Sequence, residues 1–195
     1  MERYVYNVNA EDISVDKTEL ALRLKVPKGF TNETVEKCFN KVKESIKPGC
    51  CYVRIPLCVR ENTVHFDFAS VKSKDLYKNL KDCKEAYLMA ITLGIETDRL
   101  INRLGLVSKT EGFIADAIAS AYAEAILDNM NDYLGNEDRL CPRFSPGYGD
   151  LDISFQRDVL YALSADKTIG IKLGENLIMT PRKSITAICG IKKQR

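Results

Sequence analysis

The stretch Arg143-Phe-Ser-Pro-Gly-Tyr148 indicates a structured loop that can hold a small anionic group. Its arginine is a forked, permanently charged donor for a carboxylate, its proline stiffens the backbone, and its glycine permits close approach or a positive φ. Pro-Gly is also a general turn signal, and an arginine just before a turn is more often solvated than functional. The loop alone therefore leaves both interpretations open.

The composition is that of an ordinary globular protein. The 195 residues suit one domain over positions 1–195, with 45% apolar and 29% charged side chains. The 29 basic and 27 acidic groups nearly cancel, which disfavours nucleic acid or an anionic membrane as partner. No apolar run approaches the roughly 20 residues of a membrane span, and the first residues lack the apolar core of a signal peptide. We therefore expect a cytoplasmic protein.

The cysteines favour free thiols over a metal site. Seven cysteines are scattered without a repeated spacing, so in a reducing compartment most should be buried as small apolar residues. The alternative is a metal site formed by Cys50, Cys51, Cys58 and the single histidine, His65. No CxxC pair exists, and adjacent cysteines in a strand point to opposite faces. We predict no metal site, with His65 facing solvent or a neighbouring strand.

Helix caps organise the N-terminal third. Asp16-Lys-Thr-Glu19 has the form of a capping box and predicts a short helix that ends before Pro27. A strand is the alternative, because large apolar residues recur at every second position, at Leu20, Leu22, Leu24 and Val26. Asn32 predicts the cap of a second helix, whose apolar residues recur at helical spacing up to Pro48-Gly49.

A β-hairpin and a buried strand follow. Residues 51–59 and 63–68 read as antiparallel strands joined by a short turn. Pro56 cannot donate a ladder hydrogen bond, which predicts an edge or bulged first strand. A short helix should begin near Ser73, with one face formed by Leu76, Leu80 and Cys83. Residues 86–93 are nearly all apolar and predict a strand covered on both faces and ended by Gly94.

The C-terminal half combines one long helix with short strands. Ser108-Lys-Thr-Glu111 is a second capping box and opens a helix to about Leu134, in which Ala117, Ala121 and Ala125 favour close approach of another backbone. Asp152 can cap a helix carrying Phe155, Val159, Leu160 and Leu163. Residues 168–173, 177–180 and 184–189 predict strands. The fold class expected is α+β, a mostly antiparallel twisted sheet with flanking helices.

Three sequence blocks carry a family pattern. They are Ala90-Ile-Thr-Leu-Gly94 with Asp98 and the alanine-rich helix, then Arg143-x-x-Pro146-Gly147-Tyr148, and finally Ile169-Gly-Ile-Lys-Leu173 with Glu175, Met179, Pro181 and Ser184. Together they resemble the S-adenosylmethionine-binding activation domain of cobalamin-dependent methionine synthase, in the form where that domain is a separate small protein. The resemblance covers residues 86–190, whereas residues 1–70 match poorly.

The resemblance implies roles for residues of the loop. The family's loop arginine binds the carboxylate of S-adenosylmethionine, a role that falls to Arg143, with the backbone of Ser145, Pro146 and Gly147 beside the ligand. The loop tyrosine lies near the cobalamin, so Tyr148 is the residue expected to act during methyl transfer. Glu137, shortly before the loop, would suit the ligand's ammonium or ribose, and it reads equally well as a surface residue.

The chain departs from the family pattern at three places. An aromatic residue of the last strand is replaced here within Ile188-Cys189-Gly190. The acidic position of the long helix is Ser120, although Glu124 lies one turn further on. The acidic ligand-binding residue that multidomain members draw from their N-terminal segment has no evident counterpart.

The function implied by the resemblance is that of a stand-alone activation subunit. It would bind S-adenosylmethionine and support reductive remethylation of cob(II)alamin, with the cobalamin carried by a separate methionine synthase. The protein's part would be positioning and exclusion of water, so no general acid or base is required. The chain has no flavin fingerprint, so the electron would come from an external flavodoxin or ferredoxin.

Two alternatives remain open at this point. The chain can be the reactivating partner of another corrinoid methyltransferase. It can also be a binding or assembly module that has lost methyl donation, as the departures from the pattern suggest. A conventional S-adenosylmethionine-dependent methyltransferase is disfavoured, because no glycine-rich loop follows an early strand.

Overall fold

An antiparallel sheet covered by helices on both faces forms the centre of the molecule. The computed structural model describes residues 2–25 and 32–192. Its strands are β1 (Arg3–Val5), β2 (Gly49–Arg60), β3 (Thr63–Phe66), β4 (Ser70–Lys72), β5 (Cys83–Thr92), β6 (Lys172–Leu173), β7 (Met179–Thr180) and β8 (Ser184–Lys192). The helices are α1 (Lys17–Leu24), α2 (Glu33–Ser45), α3 (Lys74–Leu80), α4 (Ile95–Val107), α5 (Lys109–Gly135), α6 (Gln156–Leu163) and α7 (Ala165–Thr168).

The main sheet has the order β4-β3-β2-β5-β8, and β1 also pairs with β2. Every pairing in it is antiparallel, and β6 and β7 form a separate small hairpin. The predicted α+β class, with a mostly antiparallel sheet and flanking helices, is confirmed. No helix in the described residues has both the length and the apolar character that a bilayer crossing requires.

The central strand β5 separates two hydrophobic cores. Tyr87, Met89 and Ile91 pack against α1, α2, α4 and α5, whereas Leu88 and Ala90 face α3 and α6. Successive side chains of a strand point to opposite faces, so a strand buried on both faces must be apolar throughout. The predicted two-sided burial of residues 86–93 is confirmed.

The predicted helix caps are present. The Asp16 side chain accepts a hydrogen bond from the Thr18 amide at 2.7 Å, Asn32 accepts from Val35 at 2.8 Å, and Ser108 accepts from Glu111 at 3.2 Å. The helical reading of residues 17–24 is therefore confirmed over the strand alternative. Helix α1 ends at Leu24, with Lys25 as its C-cap, so it ends before Pro27 as predicted, whereas Val26 lies outside the described residues.

The prediction for Pro56 is wrong, because β2 is neither an edge strand nor bulged at this position. It pairs with β5 without a register shift from Gly49 to Pro56. On its other side, β1 covers residues 51–53 and β3 covers residues 57–60. The Tyr6 amide bonds to the Cys50 carbonyl on that side, and alternation along the strand directs the Pro56 nitrogen the same way. The proline occupies the gap between two partner strands, where no ladder bond is lost.

Several element boundaries differ from the predictions, and helix α4 was not predicted. Cys83 opens β5 instead of extending the helix that begins at Ser73, because α3 ends at Leu80. Thr168 ends the short helix α7, so only two residues of the predicted strand 168–173 are extended. Helix α4 has no sequence signal at its start, since its N-cap Gly94 supplies no capping side chain.

Helix α5 is the longest helix and is buried over most of its circumference. It meets α4 at two glycines, Gly112 and Gly105. A Cβ placed on Gly112 would lie 2.6 Å from the Cα of Gly105, well inside van der Waals contact. The two helix backbones therefore approach more closely here than side chains would permit.

Candidate functional site

A cavity of about 380 Å³ lies where the Arg143 loop meets α5, β8 and the small β6–β7 hairpin. Its lining combines one cation, one carboxylate, several hydroxyl and amide groups, and an apolar portion. The residues that line it are Glu124, Leu127, Arg143, Phe144, Ser145, Pro146, Tyr148, Ile153, Gln156, Met179, Ser184, Ile185 and Thr186.

The segment 139–144 is fixed along the outer edge of β8. The Phe144 amide donates to the Ile188 carbonyl at 2.9 Å, and the Ile188 amide donates back to Phe144 at 2.8 Å. The Cys141 amide donates to the Gly190 carbonyl at 2.8 Å. Because the backbone on both sides of Arg143 is bonded to a strand, the position of the arginine is set by the sheet.

The turn that follows Arg143 is closed by its own backbone. The Gly147 amide donates to the Leu151 carbonyl at 2.8 Å, and the Tyr148 amide donates to the Ser145 carbonyl at 3.1 Å. Gly147 has φ of +92°, and a Cβ there would lie 3.0 Å from the Cδ1 of Ile153. Only glycine adopts this conformation without strain, which explains the Pro-Gly pair.

Asp150 anchors the far end of the turn to the start of α3. Its carboxylate accepts hydrogen bonds from the Ser73 hydroxyl, from the Lys74 amide at 2.8 Å and from the Asp75 amide at 3.2 Å. The hydrogen bond from Ser73, followed by that from Lys74, lowers the pKa of Asp150. The loop is thus tied to both β8 and α3.

We expect Asp150→Asn to lower the stability of the protein at neutral pH and to remove part of its acid sensitivity. A carboxyl group whose folded-state pKa is lowered stabilises the fold above its unfolded pKa of about 4 and loses that contribution as pH falls through the folded value. Urea unfolding at pH 7 and at pH 3 measures both effects. An unchanged difference between the two pH values in the variant would contradict this role.

Arg143 has one engaged and one unengaged guanidinium nitrogen. Its Nη2 lies 2.6 Å from Asp128 Oδ1 and 3.9 Å from Glu124 Oε2. Its Nη1 is buried and has no hydrogen-bond partner among the described residues. A buried donor without a partner is costly, typically by about 1–3 kcal/mol, and is rare in proteins. The arginine is therefore held by α5 through Nη2, and its Nη1 has no protein partner among the described residues.

The remaining wall of the cavity is polar on one side and apolar on the other. The Gln156 Nε2 donates to the Leu177 carbonyl at 2.6 Å and so ties α6 to the β6–β7 hairpin. The Ser184 hydroxyl donates to the Pro181 carbonyl at 2.7 Å, and Thr186 is buried. Leu127, Ile153 and Met179 complete an apolar side.

Most of the predicted site residues come together at this cavity. Arg143, Ser145, Pro146 and Tyr148 line it, and Gly147 shapes the turn without lining it. The Tyr148 side chain is 68% exposed, which places it at the mouth.

Glu137 is not brought to the cavity. After α5 the chain turns with a hydrogen bond from the Glu137 amide to the Leu134 carbonyl at 3.2 Å, and Glu137 is exposed and does not line the cavity. Burial is the main cause that raises the pKa of Tyr52 to about 12, and the charge of Glu137 contributes. The carboxylate at the cavity is Glu124 instead, one helical turn from Ser120.

Asp128 and Gln156 were not predicted as site residues. Asp128 had a usable signal, because it follows Glu124 by four residues and so lies on the same face of α5. No sequence signal marked Gln156 or Thr186 as site residues, since single polar residues in amphipathic elements are ordinary in any sequence.

The cysteines and the histidine are distributed over different environments. Cys50 and Cys51 are buried in opposite cores, Cys58 is exposed, and His65 Nδ1 lies 2.9 Å from the Ser70 hydroxyl oxygen. His65 therefore faces a neighbouring strand and solvent, as predicted. Within the described residues, no three metal-ligating side chains form a cluster.

Comparison with known proteins identifies the fold. No family model matches the chain, and no curated protein sequence matches it significantly. The crystal structure of the MetH reactivation domain bound to AdoHcy superposes with a TM-score of 0.74, covering 97% of this chain and 78% of that chain at 14% identity. This chain has the fold of the MetH reactivation domain. The predicted fold is confirmed, and the likeness extends beyond residues 86–190 into the N-terminal part.

The MetH reactivation fold was detectable in the sequence only at the three sequence blocks described above, which lie within residues 86–190. With 14% identity, most aligned positions carry different residues in the two proteins. Cores tolerate such exchanges when volume and patterning are kept. The backbone therefore persists where the sequences no longer align.

Proposed function

We propose that this protein binds S-adenosylmethionine at the Arg143 cavity and supports reductive remethylation of cob(II)alamin on a separate cobalamin-dependent methionine synthase. The observation that carries the proposal is that Arg143 and Glu124, a cation and a carboxylate, line one cavity, and that Arg143 Nη1 has no hydrogen-bond partner among the described residues. A cation and a carboxylate in one cavity complement the zwitterionic end of an amino acid. The fold shared with a domain bound to AdoHcy supports the same ligand class.

The residues present fit this ligand. A cavity of about 380 Å³ falls within the range of roughly 300–1,000 Å³ that small-molecule sites occupy. The polar end contains Arg143 and Glu124, and the apolar side contains Leu127, Ile153 and Met179. The ligand's amino-acid part matches the first, and its adenosine and thioether carbons match the second.

The chain's contribution would be binding, orientation and exclusion of water. When bound, S-adenosylmethionine would supply a methyl group as a cation equivalent. Arg143 would hold the ligand carboxylate through its guanidinium group, and Glu124 would hold the ammonium, a charge-assisted pair on each side. Tyr148 at the mouth would shield the reacting end. Positioning of this kind supplies rate acceleration without proton transfer by the protein.

The cobalamin and the electron would come from partner proteins. The corrinoid would be carried by methionine synthase or another corrinoid protein, and the electron by a flavodoxin or ferredoxin. The cavity opens beside the exposed Tyr148 side chain, which is the side that a corrinoid would have to approach.

The test measures binding and turnover together. We expect calorimetry to show saturable binding of S-adenosylmethionine, and Tyr148→Ala to slow remethylation of a partner's cob(II)alamin by about tenfold while the Kd changes far less. The reason is that an exposed residue at the mouth affects orientation more than it affects the buried contacts.

Tyr161→Ala is the matched control, because Tyr161 is 79% exposed on α6 and does not line the cavity. Equal losses of binding and rate in Tyr148→Ala would contradict the orienting role. Binding without any remethylation would favour the module that has lost methyl donation. Absence of binding would overturn the proposal.

A further inference from the structure

A second large groove lies at the opposite end of the segment that carries Arg143. It has a volume of about 890 Å³ and is formed where β2 ends, β5 begins and β8 ends. The residues that line it are Leu57, Cys58, Val59, Lys81, Asp82, Cys83, Lys84, Arg139 and Lys192.

The groove concentrates positive charge in a protein that is nearly neutral. Lys81, Lys84, Arg139 and Lys192 line it together with a single carboxylate, Asp82, although the whole sequence has a net charge of only +2. Across residues 2–25 and 32–192, none of these four cations makes an ion pair. By contrast, Arg54 and Arg143 are each paired with carboxylates. Unpaired cations collected in one concavity attract an anionic partner.

The arrangement suits several separated carboxylates better than one compact phosphate. The backbone around Leu57 and Cys58 is paired with β3, and Cys83 is in register with Lys192, so the groove offers side-chain cations in place of a nest of free amides. Lysine ammonium groups are point charges on flexible stems and do not impose bidentate geometry. Leu57 and Val59 add an apolar floor of the kind found beneath charged rims of protein interfaces.

The groove is joined to the Arg143 site through one backbone segment. The Lys192 amide donates to the Arg139 carbonyl at 2.8 Å, at one end of the segment 139–144. At the other end of this segment, Phe144 is hydrogen-bonded to Ile188 of β8. A protein seated in the groove would therefore contact the segment that positions Arg143.

We propose that this groove docks a carboxylate-rich face of a protein partner. The inference rests on the proposed function, since a reactivating protein must engage a partner, and it adds the surface and the charge of that engagement. Electrostatic complementarity of this kind sets the association rate and its dependence on salt.

The test uses a fluorescein-labelled oligoglutamate peptide as the probe. We expect Lys81→Glu/Lys84→Glu to weaken its binding by roughly tenfold or more, because two attractions become repulsions. The control is Arg103→Glu/Lys109→Glu, which changes the net charge equally at exposed positions of α4 and α5. The milder Lys81→Gln/Lys84→Gln should show an intermediate loss of peptide binding. It serves as a second variant in case the charge reversal disturbs folding.

A second readout reports occupancy of the groove itself. Cys58 lines the groove and is exposed, whereas the other cysteines are buried. Oligoglutamate should therefore slow the reaction of iodoacetamide with Cys58, and added salt should restore the rate. Equal weakening by the groove and control variants, absence of peptide binding, or protection of Cys58 by inorganic pyrophosphate but not by oligoglutamate would each overturn the proposal.

Titration of Lys81→Glu/Lys84→Glu with S-adenosylmethionine separates this inference from the proposed function. Neither lysine lines the Arg143 cavity, so ligand binding should be unchanged. If wild type binds S-adenosylmethionine but not the peptide, the groove inference alone fails. If it binds the peptide but not S-adenosylmethionine, the proposed function fails.

Discussion

Replacement of Arg143 by alanine should weaken S-adenosylmethionine binding by about a hundredfold while the protein stays folded. Removal of one member of a buried, hydrogen-bonded charge pair typically costs about 2–5 kcal/mol of binding free energy, and about 3 kcal/mol corresponds to this factor. The fold should survive because the charges left behind are accessible to water: the side chain of Asp128 is 60% exposed and that of Glu124 is 36% exposed. Calorimetric titration and thermal unfolding of the same sample measure both quantities.

Two further variants make the Arg143 experiment specific. Arg143→Lys keeps the charge but removes the fork that reaches Asp128 and the cavity at once, so it should recover little of the affinity. Arg139→Ala removes an exposed arginine of the same segment that does not line the cavity, and binding should be retained. Full binding by Arg143→Ala, or equal loss in Arg139→Ala, would refute the assigned role.

The second large effect is expected at the crossing of α4 and α5, where two facing glycines differ sharply in the space available for an added Cβ. Gly112→Ala should destabilise the protein by about 1–3 kcal/mol, because its Cβ would lie 2.6 Å from the Cα and 3.0 Å from the nitrogen of Gly105. Both atoms belong to backbone, so the two helices would have to separate. The midpoint of thermal unfolding should fall by roughly 2–4 °C for each kcal/mol lost.

Gly105→Ala is the matched control on the facing helix. A Cβ there would meet only the Cα of Gly112 at 3.9 Å, an ordinary contact. Alanine in a helix interior is favoured over glycine by about 0.5–1 kcal/mol, so this variant should be neutral or more stable. The same response in both glycine variants would show that the helices do not cross as described.

The local elements were predictable because their causes are local. Asp16, Asn32 and Ser108 cap helices through amides two or three residues away, and those signals do not depend on the rest of the fold. The apolar run of β5 similarly indicates a strand buried on both faces. Helix α4 was missed for the converse reason, since Gly94 gives no cap and the helix is stabilised by packing on α2 and α5.

Two positions turned out differently because their surroundings depend on long-range contacts. Pro56 suggested an edge strand, but the gap between β1 and β3 that accommodates it exists only once three strands are assembled. Glu137 is close to Arg143 in the sequence, but the turn after α5 leaves it exposed and outside the cavity lining. Proximity along the chain does not predict proximity in space when a turn intervenes.

The sequence by itself determined the α+β class, the helix caps and a stiff Arg-Pro-Gly loop, because each depends on the conformational preferences of neighbouring residues. Only the tertiary structure decided what surrounds Arg143. Bonds to β8 fix the loop backbone, Asp128 on α5 engages Nη2, and Nη1 is left buried without a partner among the described residues. These contacts join segments far apart in the chain, and no local preference encodes them. The site depends on the packing of α5 beside the edge of the sheet.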